Sequence, residues 1–231
     1  MDAEFWQQRW REGRIGFHHE APMPLLVEHW QQLALPPDRR VLVPLCGKSV
    51  DMLWLAAQGC RVLGVEISPL AIAQFLQENG LTATTRDSPL GRHYHAGRIE
   101  LIEGDAFALD AATLAGCDAV YDRAAIIALP PDLRQRYAES VYARLPHGCR
   151  GLMITLEYPQ AEKDGPPFSV RESEVRALLT PDWRVDVAER RDILAAQPSF
   201  SRQGVSALDT VVYALRRETA PRTAEATSRA G

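Results

Sequence analysis

The chain has 231 residues, 24% of them charged, and its formal net charge at pH 7 is −4. This balance excludes the strongly basic surface on which nucleic-acid binding depends, and no apolar run is long enough to span a membrane as a helix. The length suits a single domain with a substantial core. Because the first residues, MDAEFWQQRW, lack the basic-then-apolar order of a signal peptide, we expect a cytoplasmic protein.

An aromatic face marks the N-terminal segment, which precedes the first predicted strand. Trp6 and Trp10 are four positions apart and therefore lie on one side of a predicted helix. They could close the edge of the core, or the helix could cover the ligand site with Trp10 against the ligand. We interpret residues 1–35 as such a cover.

Residues 40–68 have the pattern of a βαβ unit. The apolar run 41–43 leads through Gly47 into apolar residues at helical spacing, and a second apolar run, 62–65, ends on Glu66. Ligands of open α/β sheets bind outside the carboxyl ends of the strands, where a carboxylate can accept hydrogen bonds from both hydroxyls of a ribose. Glu66 therefore indicates a ligand that carries a nucleoside.

The loop before the first helix of this unit excludes two phosphate-binding motifs. It lacks the G-x-G-x-x-G pattern of dinucleotide sites, and the first glycine of a P-loop would have to stand at Leu42, inside the strand. A nucleoside without phosphates does not require the backbone to approach it as closely as a pyrophosphate does. The loop therefore favours S-adenosylmethionine, whose sulfonium the Trp10 ring could shield. A nicotinamide-dependent oxidoreductase is the less favoured alternative.

The third predicted strand, 99–102, is also followed by an acid. Asp105 could accept a hydrogen bond from the adenine amino group, or it could equally cap the next turn. The segment 81–98 before this strand is polar and rich in turn residues, so we expect it to be an excursion over the surface.

Two histidine pairs and four scattered cysteines give no metal or redox signature. The pairs His18–His19 and His93–His95 lack Asp, Glu or Cys partners at ligand spacing, so no metal site is predicted. Each cysteine lies in or beside a predicted strand and is expected to be a small buried residue of a reducing compartment. Cys46 lies in the ligand loop and could be reactive.

A buried strand, 117–121, ends in Asp122 and Arg123. Because desolvating a charged pair without partners is costly, the two side chains could contact each other. Alternatively, Arg123 could meet the carboxylate of the methionine part of the cofactor or an electron-rich acceptor.

The C-terminal part predicts one more parallel strand and a hairpin. The strand 152–156 is followed by a Gly-Pro-Pro-Phe loop, whose Phe168 could lie over the crevice or in the core. The runs 183–191 and 207–215 have no helix between them and predict an antiparallel edge. Residues 217–231 have no apolar face and predict a disordered tail.

The motifs WxxRWxxGxxGFH, PLCGKSVDM, GVEIS and AVYDRAAI resemble the thiopurine S-methyltransferase family, in particular its bacterial branch. The resemblance covers residues 5–215 and implies one domain, 1–216, of α/β class. Its fold would be the Rossmann-like, seven-stranded fold of the S-adenosylmethionine-dependent methyltransferases, a mostly parallel sheet with an antiparallel C-terminal hairpin.

Residue roles follow from combining this resemblance with the strand-tip pattern. The predicted cofactor-binding residues are Trp10, Leu45, Glu66, Asp105, Ala106 and Arg123. Phe17 and Phe168 are predicted to line the acceptor site, where Arg123 would also orient the acceptor electrostatically. The resemblance implies an aromatic or heterocyclic thiol acceptor such as a thiopurine, and bacterial relatives suggest selenium or tellurium compounds as well. The role of Arg202 stays open.

Methyl transfer from a sulfonium is an in-line displacement that needs alignment and exclusion of water rather than a metal or a catalytic triad. A thiol near its pKa supplies its own anion, so a general base is optional. We therefore expect binding residues to dominate the site of a monomeric enzyme. A non-catalytic module that binds or sequesters the cofactor is the alternative from another class.

Overall fold

The computed structural model of the protein describes residues 3–218. Within them, nine strands form one sheet: β1 Arg40–Pro44, β2 Arg61–Glu66, β3 Thr84–Ser88, β4 Gly91–Ala96, β5 Ile99–Glu103, β6 Ala119–Arg123, β7 Arg150–Glu157, β8 Trp183–Asp192 and β9 Asp209–Arg217. Their order across the sheet is β3-β4-β5-β2-β1-β6-β7-β9-β8. The central strands β5, β2, β1, β6 and β7 run parallel, so their carboxyl ends meet at one edge.

Helices cover both faces of this sheet. They are α1 Ala3–Arg11, α2 Pro24–His29, α3 Asp51–Ala57, α4 Pro69–Glu78, α5 Ala111–Ala115, α6 Pro131–Ser140, α7 Glu172–Leu179 and α8 Pro198–Ser201. Buried residues of α2, α3 and α4 pack in one core cluster, and those of α5, α6 and α7 pack in a second cluster on the opposite face. The result is the three-layer α/β arrangement of a doubly wound fold.

The βαβ unit predicted from residues 40–68 is confirmed. β1 and β2 pair in parallel, with Val41 opposite Val62, and α3 connects them. Along β1, Val41 and Val43 belong to one core cluster and Leu42 to the other, which explains why the run is continuously apolar. The next helix, α4, starts as its sequence indicates, because Ser68 Oγ accepts a hydrogen bond from Ala71 N at 3.3 Å.

The expected strand count was wrong, because the described residues form nine strands rather than seven. The additional pair, β3 and β4, lies in the segment 81–98 that was expected to be a surface excursion. This hairpin pairs antiparallel with β5 at the edge of the sheet, and most of its side chains remain exposed or half-buried. An edge hairpin can therefore consist of polar residues, which conceals it in the sequence.

The predicted C-terminal hairpin is confirmed, since β8 and β9 pair antiparallel and β9 also pairs antiparallel with β7. Strand β9 extends to Arg217, one residue into the predicted tail, and the predicted tail residues 219–231 lie outside the described residues. No helix among residues 3–218 combines the length and apolarity needed to cross a membrane. All four cysteines are buried and unpaired, as expected.

Candidate active site

A cavity of about 760 Å³ opens at the carboxyl ends of the central strands. Helix α1 and the residues after it form one wall, and the segment 193–208 forms another. Seven of the eight residues predicted for the site line this cavity: Trp10, Phe17, Leu45, Glu66, Asp105, Ala106 and Arg123. The topology therefore brings together residues that are distant in the sequence.

Glu66 lies at the tip of β2 with only 6% of its surface exposed. Its Oε2 accepts a hydrogen bond from Gly47 N at 2.8 Å, and its Oε1 accepts one from Ser68 N at 2.8 Å. Burial raises the pKa of Glu66, although these backbone hydrogen bonds oppose the shift. A carboxylate has about four lone-pair sites, so these backbone contacts leave acceptor capacity that fits a ribose hydroxyl.

The loop after β1 turns sharply beside Glu66. Leu45 and Gly47 both have positive φ angles, of 49° and 53°. A Cβ at Gly47 would stand 3.2 Å from Trp10 Cζ2, so a side chain at this position would require the indole to shift by a few tenths of an ångström. The strained φ of Leu45 lies at the cavity wall, and such strain is commonly stored at functional sites.

Aromatic rings from the N-terminal segment line the cavity. Trp10 is 4% exposed, and its ring meets Phe17 edge to face at a centroid distance of 5.7 Å. Trp6 meets the same Phe17 ring at 6.0 Å. Trp10 is thus a buried residue that lines the cavity. The later part of the predicted cover packs differently, because Leu26 and Trp30 are buried in the core.

Arg123 and Asp122 have separate partners. Arg123 Nη1 donates a hydrogen bond to the carbonyl oxygen of Phe17 at 2.9 Å. Asp122 is completely buried, and its Oδ2 accepts hydrogen bonds from the hydroxyls of Tyr137 and Tyr142, each at 2.9 Å. These partners replace the contact between Asp122 and Arg123 that was one reading of the sequence. Arg123 does not pair with Asp122 and lines the cavity.

Asp105 has the capping role, one of the two roles that the sequence left open. Its Oδ1 accepts a hydrogen bond from Phe107 N at 2.9 Å, which makes it the cap of the turn that follows β5. The side chain is nevertheless exposed and lines the cavity beside Ala106.

Phe168 is not among the residues that line the cavity within the described chain, whereas Pro166 and Pro167 are. Its ring lies 5.8 Å from the guanidinium carbon of Arg134, a buried residue of α6. The backbone N of Phe168 donates to Ile127 O at 2.7 Å. The ring of Phe168 thus contacts the Arg134 cation, and its predicted acceptor contact stays a prediction.

One histidine pair, His93 and His95, differs from its sequence interpretation. Glu100, from the adjacent strand, approaches His93 Nδ1 to 2.7 Å and His95 Nε2 to 3.6 Å, so an acidic partner is present after all. Strand pairing supplies this partner, which sequence spacing could not show. Arg40 and Arg86 also pair with Glu100, and this excess of cations makes the cluster an ion-pair network.

Other lining residues were not singled out from the sequence. They include Arg9, Arg136, Lys163, Arg191 and members of the segment 193–208: Ile193, Ala196, Gln197, Ser199, Phe200, Gln203 and Leu208. Arg9 shares a helical face with Trp6, a signal that could have found it. Arg202 is exposed and is not among the described residues that line the cavity.

Comparison with known proteins identifies the family. The family model described as thiopurine S-methyltransferase matches residues 1–218. The thiopurine S-methyltransferase of Xanthomonas campestris pv. campestris (strain 8004) is 61% identical over 218 residues, which cover 94% of this chain and 100% of the relative. The chain belongs to the thiopurine S-methyltransferase family. The relative from Bordetella parapertussis (strain 12822) is 56% identical over 217 residues, covering 94% of this chain and 99% of the relative.

Solved structures agree on the fold. The Burkholderia thailandensis 1,6-didemethyltoxoflavin-N1-methyltransferase, solved with 1,6-didemethyltoxoflavin and S-adenosylhomocysteine, has a TM-score of 0.63 at 19% identity, covering 94% of this chain and 87% of its own. An S-adenosylmethionine-dependent methyltransferase from Anabaena variabilis also has a TM-score of 0.63, at 16% identity, covering 94% and 95%. The family membership and this fold make the chain an S-adenosylmethionine-dependent methyltransferase.

Proposed function

We propose that this enzyme transfers the methyl group of S-adenosylmethionine to the sulfur of an aromatic or heterocyclic thiol, such as a thiopurine. The observation that carries the proposal is the cavity itself, which has a buried acid at one strand tip and aromatic and proline surfaces opposite. The thiopurine S-methyltransferases that this chain resembles at 52–61% identity support the acceptor class.

Residues at the strand tips provide the cofactor half of the site. Glu66 fits the ribose hydroxyls, Arg123 fits the carboxylate of the methionine part, and the turn at Asp105 and Ala106 fits the adenine. Leu45 would contribute its backbone at the first strand tip. When bound, the cofactor supplies a methyl group on a sulfonium, which is a good leaving group.

Aromatic and proline residues suit the acceptor half to a flat apolar ring. Phe17, Trp6, Pro166, Pro167 and Phe200 line the cavity and would exclude water from the reacting sulfur. Cys46 is not a candidate nucleophile, because burial raises the pKa of its thiol well above the ordinary value. The acceptor thiol can ionise by itself, so the residues of the chain need only align it.

A methyl-transfer assay tests the proposal. Purified enzyme is incubated with radiolabelled S-adenosylmethionine and a thiopurine, and the label in the product is counted. We expect transfer that Glu66→Gln reduces and Glu103→Gln does not. Glu103 pairs with Glu66 across β2 and β5 but is not a lining residue, so it is a matched control. Cofactor binding without turnover on any thiol would favour a non-catalytic module, and binding of NAD would favour an oxidoreductase.

Three finer points belong to the same proposal. We also propose selenium and tellurium compounds as methyl acceptors to be assayed, because bacterial members of the family are linked with them. A reducing compartment such as the cytoplasm suits four unpaired, buried cysteines. The enzyme would act as a monomer, and size-exclusion chromatography with light scattering tests this.

A further inference from the structure

Five cationic side chains line the cavity: Arg9, Arg123, Arg136, Lys163 and Arg191. Arg9 comes from α1, and Lys163 comes from the loop after β7. They are close enough for the charge of Arg9 to contribute to lowering the pKa of Lys163. Like charges that share a cavity repel each other, so this arrangement is costly unless an anion joins them.

Within residues 3–218, no carboxylate forms an ion pair with Arg9. Its side chain is half-buried, and its Nε is buried without a hydrogen-bond partner. Its guanidinium carbon lies 5.9 Å from the Trp6 ring centroid, so aromatic surface occupies one side of the group. Burial lowers the pKa of Arg9, the charge of Arg14 lowers it further, and Glu12 opposes both effects. Glu12 itself is exposed and accepts a hydrogen bond from Gln8.

Lys163 is in a similar position. Its Nζ donates to the carbonyl oxygen of Asp164 at 3.0 Å and lies 5.4 Å from the Phe200 ring centroid. Burial lowers its pKa, and the nearby Asp164 carboxylate opposes this shift. The carboxylate of Glu162 is bound to Ser206, whose N and Oγ each donate at 2.8 Å. Among residues 3–218, no ion pair joins Arg9 or Lys163 to a carboxylate.

We propose that Arg9 and Lys163 form an anion-binding subsite that selects aromatic thiols carrying a carboxylate. This inference rests on the proposed function and makes its substrate class narrower. The subsite belongs to the acceptor half, because its neighbours Trp6 and Phe200 are the aromatic residues assigned to that half. Arg123 and Glu66 are left for the cofactor. The cations would hold the carboxylate while the sulfur faces the cofactor half.

The test compares mercaptobenzoates with their methyl esters. The esters keep the ring and the thiol but remove the negative charge. We measure kcat/KM for the 2-, 3- and 4-substituted pairs and take the ratio of acid to ester. In the unmodified enzyme, the best pair is expected to favour the acid by about tenfold or more, the size of one charge-assisted contact. Comparing this ratio between variants cancels the effect of the ester on the pKa of the thiol.

Three variants and one control complete the design. Arg9→Gln and Lys163→Gln should each lower the acid-to-ester ratio by about tenfold, and Lys163→Glu should reverse the preference. Arg202 is an exposed cation at the C-terminal end of α8 and is not among the described residues that line the cavity. The control variant Arg202→Gln should therefore have the same acid-to-ester ratio as the unmodified enzyme. Calorimetry with S-adenosylhomocysteine should give the same affinity in all four variants.

The outcomes separate the two proposals. If acid and ester are methylated equally well, the anion subsite is wrong and the proposed function stands. If the Arg9 or Lys163 variants lose affinity for S-adenosylhomocysteine, the cations serve the cofactor carboxylate and the inference is overturned. If no thiol of either charge is methylated although the cofactor binds, both proposals fail.

Discussion

Arg123 Nη1 donates a hydrogen bond to the carbonyl oxygen of Phe17 at 2.9 Å, which joins residues 106 positions apart. The contact ties the tip of β6 to the segment after α1. The Phe17 ring packs on Trp6 and Trp10, so one guanidinium both faces the cavity and holds its aromatic wall. A change at Arg123 should therefore affect cofactor and acceptor together.

Substitution Arg123→Gln should lower kcat/KM for a thiol acceptor by about 10- to 100-fold, because it removes a charge and a hydrogen bond worth about 1.5–3 kcal/mol. The same variant should weaken binding of S-adenosylhomocysteine, measured by calorimetry. Arg202→Gln, which removes an exposed arginine, is the control. Equal behaviour of the two variants would show that Arg123 has no part in the site.

Substitution Gly47→Ala should weaken cofactor binding, whereas Gly80→Ala should not. Both glycines have a positive φ, 53° and 61°, so each variant carries a backbone penalty on the order of 1 kcal/mol. The new methyl group at position 47 would lie 3.2 Å from Trp10 Cζ2, while position 80 has open space around it. Thermal denaturation measures the shared penalty, and calorimetry with S-adenosylhomocysteine measures the displacement of Trp10. Equal cofactor affinities would argue against a role for the indole.

The affinity for S-adenosylhomocysteine should fall as the pH falls towards 5. Burial raises the pKa of Glu66 above its ordinary value of 4.5, so this carboxylate takes up a proton at a higher pH than an exposed one. Protonation removes acceptor capacity for the ribose hydroxyls. The affinity is therefore highest at a pH above the raised pKa of Glu66, and it falls as the pH is lowered through that pKa. Glu66→Gln should bind about tenfold more weakly and lack this part of the pH dependence.

Histidines near the cavity also titrate in this range, and the Gln variant controls for them. His19 lines the cavity and has a pKa lowered by burial. Any contribution from His19 should appear in both proteins, so the relevant quantity is the difference between their calorimetric profiles from pH 7.5 to pH 5. Parallel profiles would mean that Glu66 does not titrate against the ligand.

The sequence predicted the part of the site that local patterns determine. Glu66 and Arg123 end apolar strands, and parallel strands necessarily bring their carboxyl ends to one edge. Ser68 precedes Pro69, which defines a helix start, and the structure contains that cap. These features depend on periodicity and capping, so neighbouring residues are sufficient to find them.

The rest depends on contacts between distant residues. The β3–β4 hairpin is polar because it lies at an edge, so its sequence resembles a loop. Phe168 is not among the described residues that line the cavity, and its ring contacts Arg134 of α6, a partner that its own sequence segment does not indicate. Arg9 and Lys163 line the same cavity although they are 154 positions apart in the sequence, and no spacing rule connects them.

Asp122 should contribute strongly to stability although it does not line the cavity. Its Oδ2 accepts from Tyr137 and Tyr142, its Oδ1 accepts from Ile126 N at 3.1 Å, and the residue is 0% exposed. Asp122→Ala leaves these buried donors unpaired and should lower the free energy of unfolding by about 3–5 kcal/mol in urea titrations. Asp132→Ala, at an exposed position in the first turn of α6, should cost at most about 1 kcal/mol. Equal losses would mean that the tyrosine hydroxyls find other partners, and Asp122 would then be dispensable to the fold.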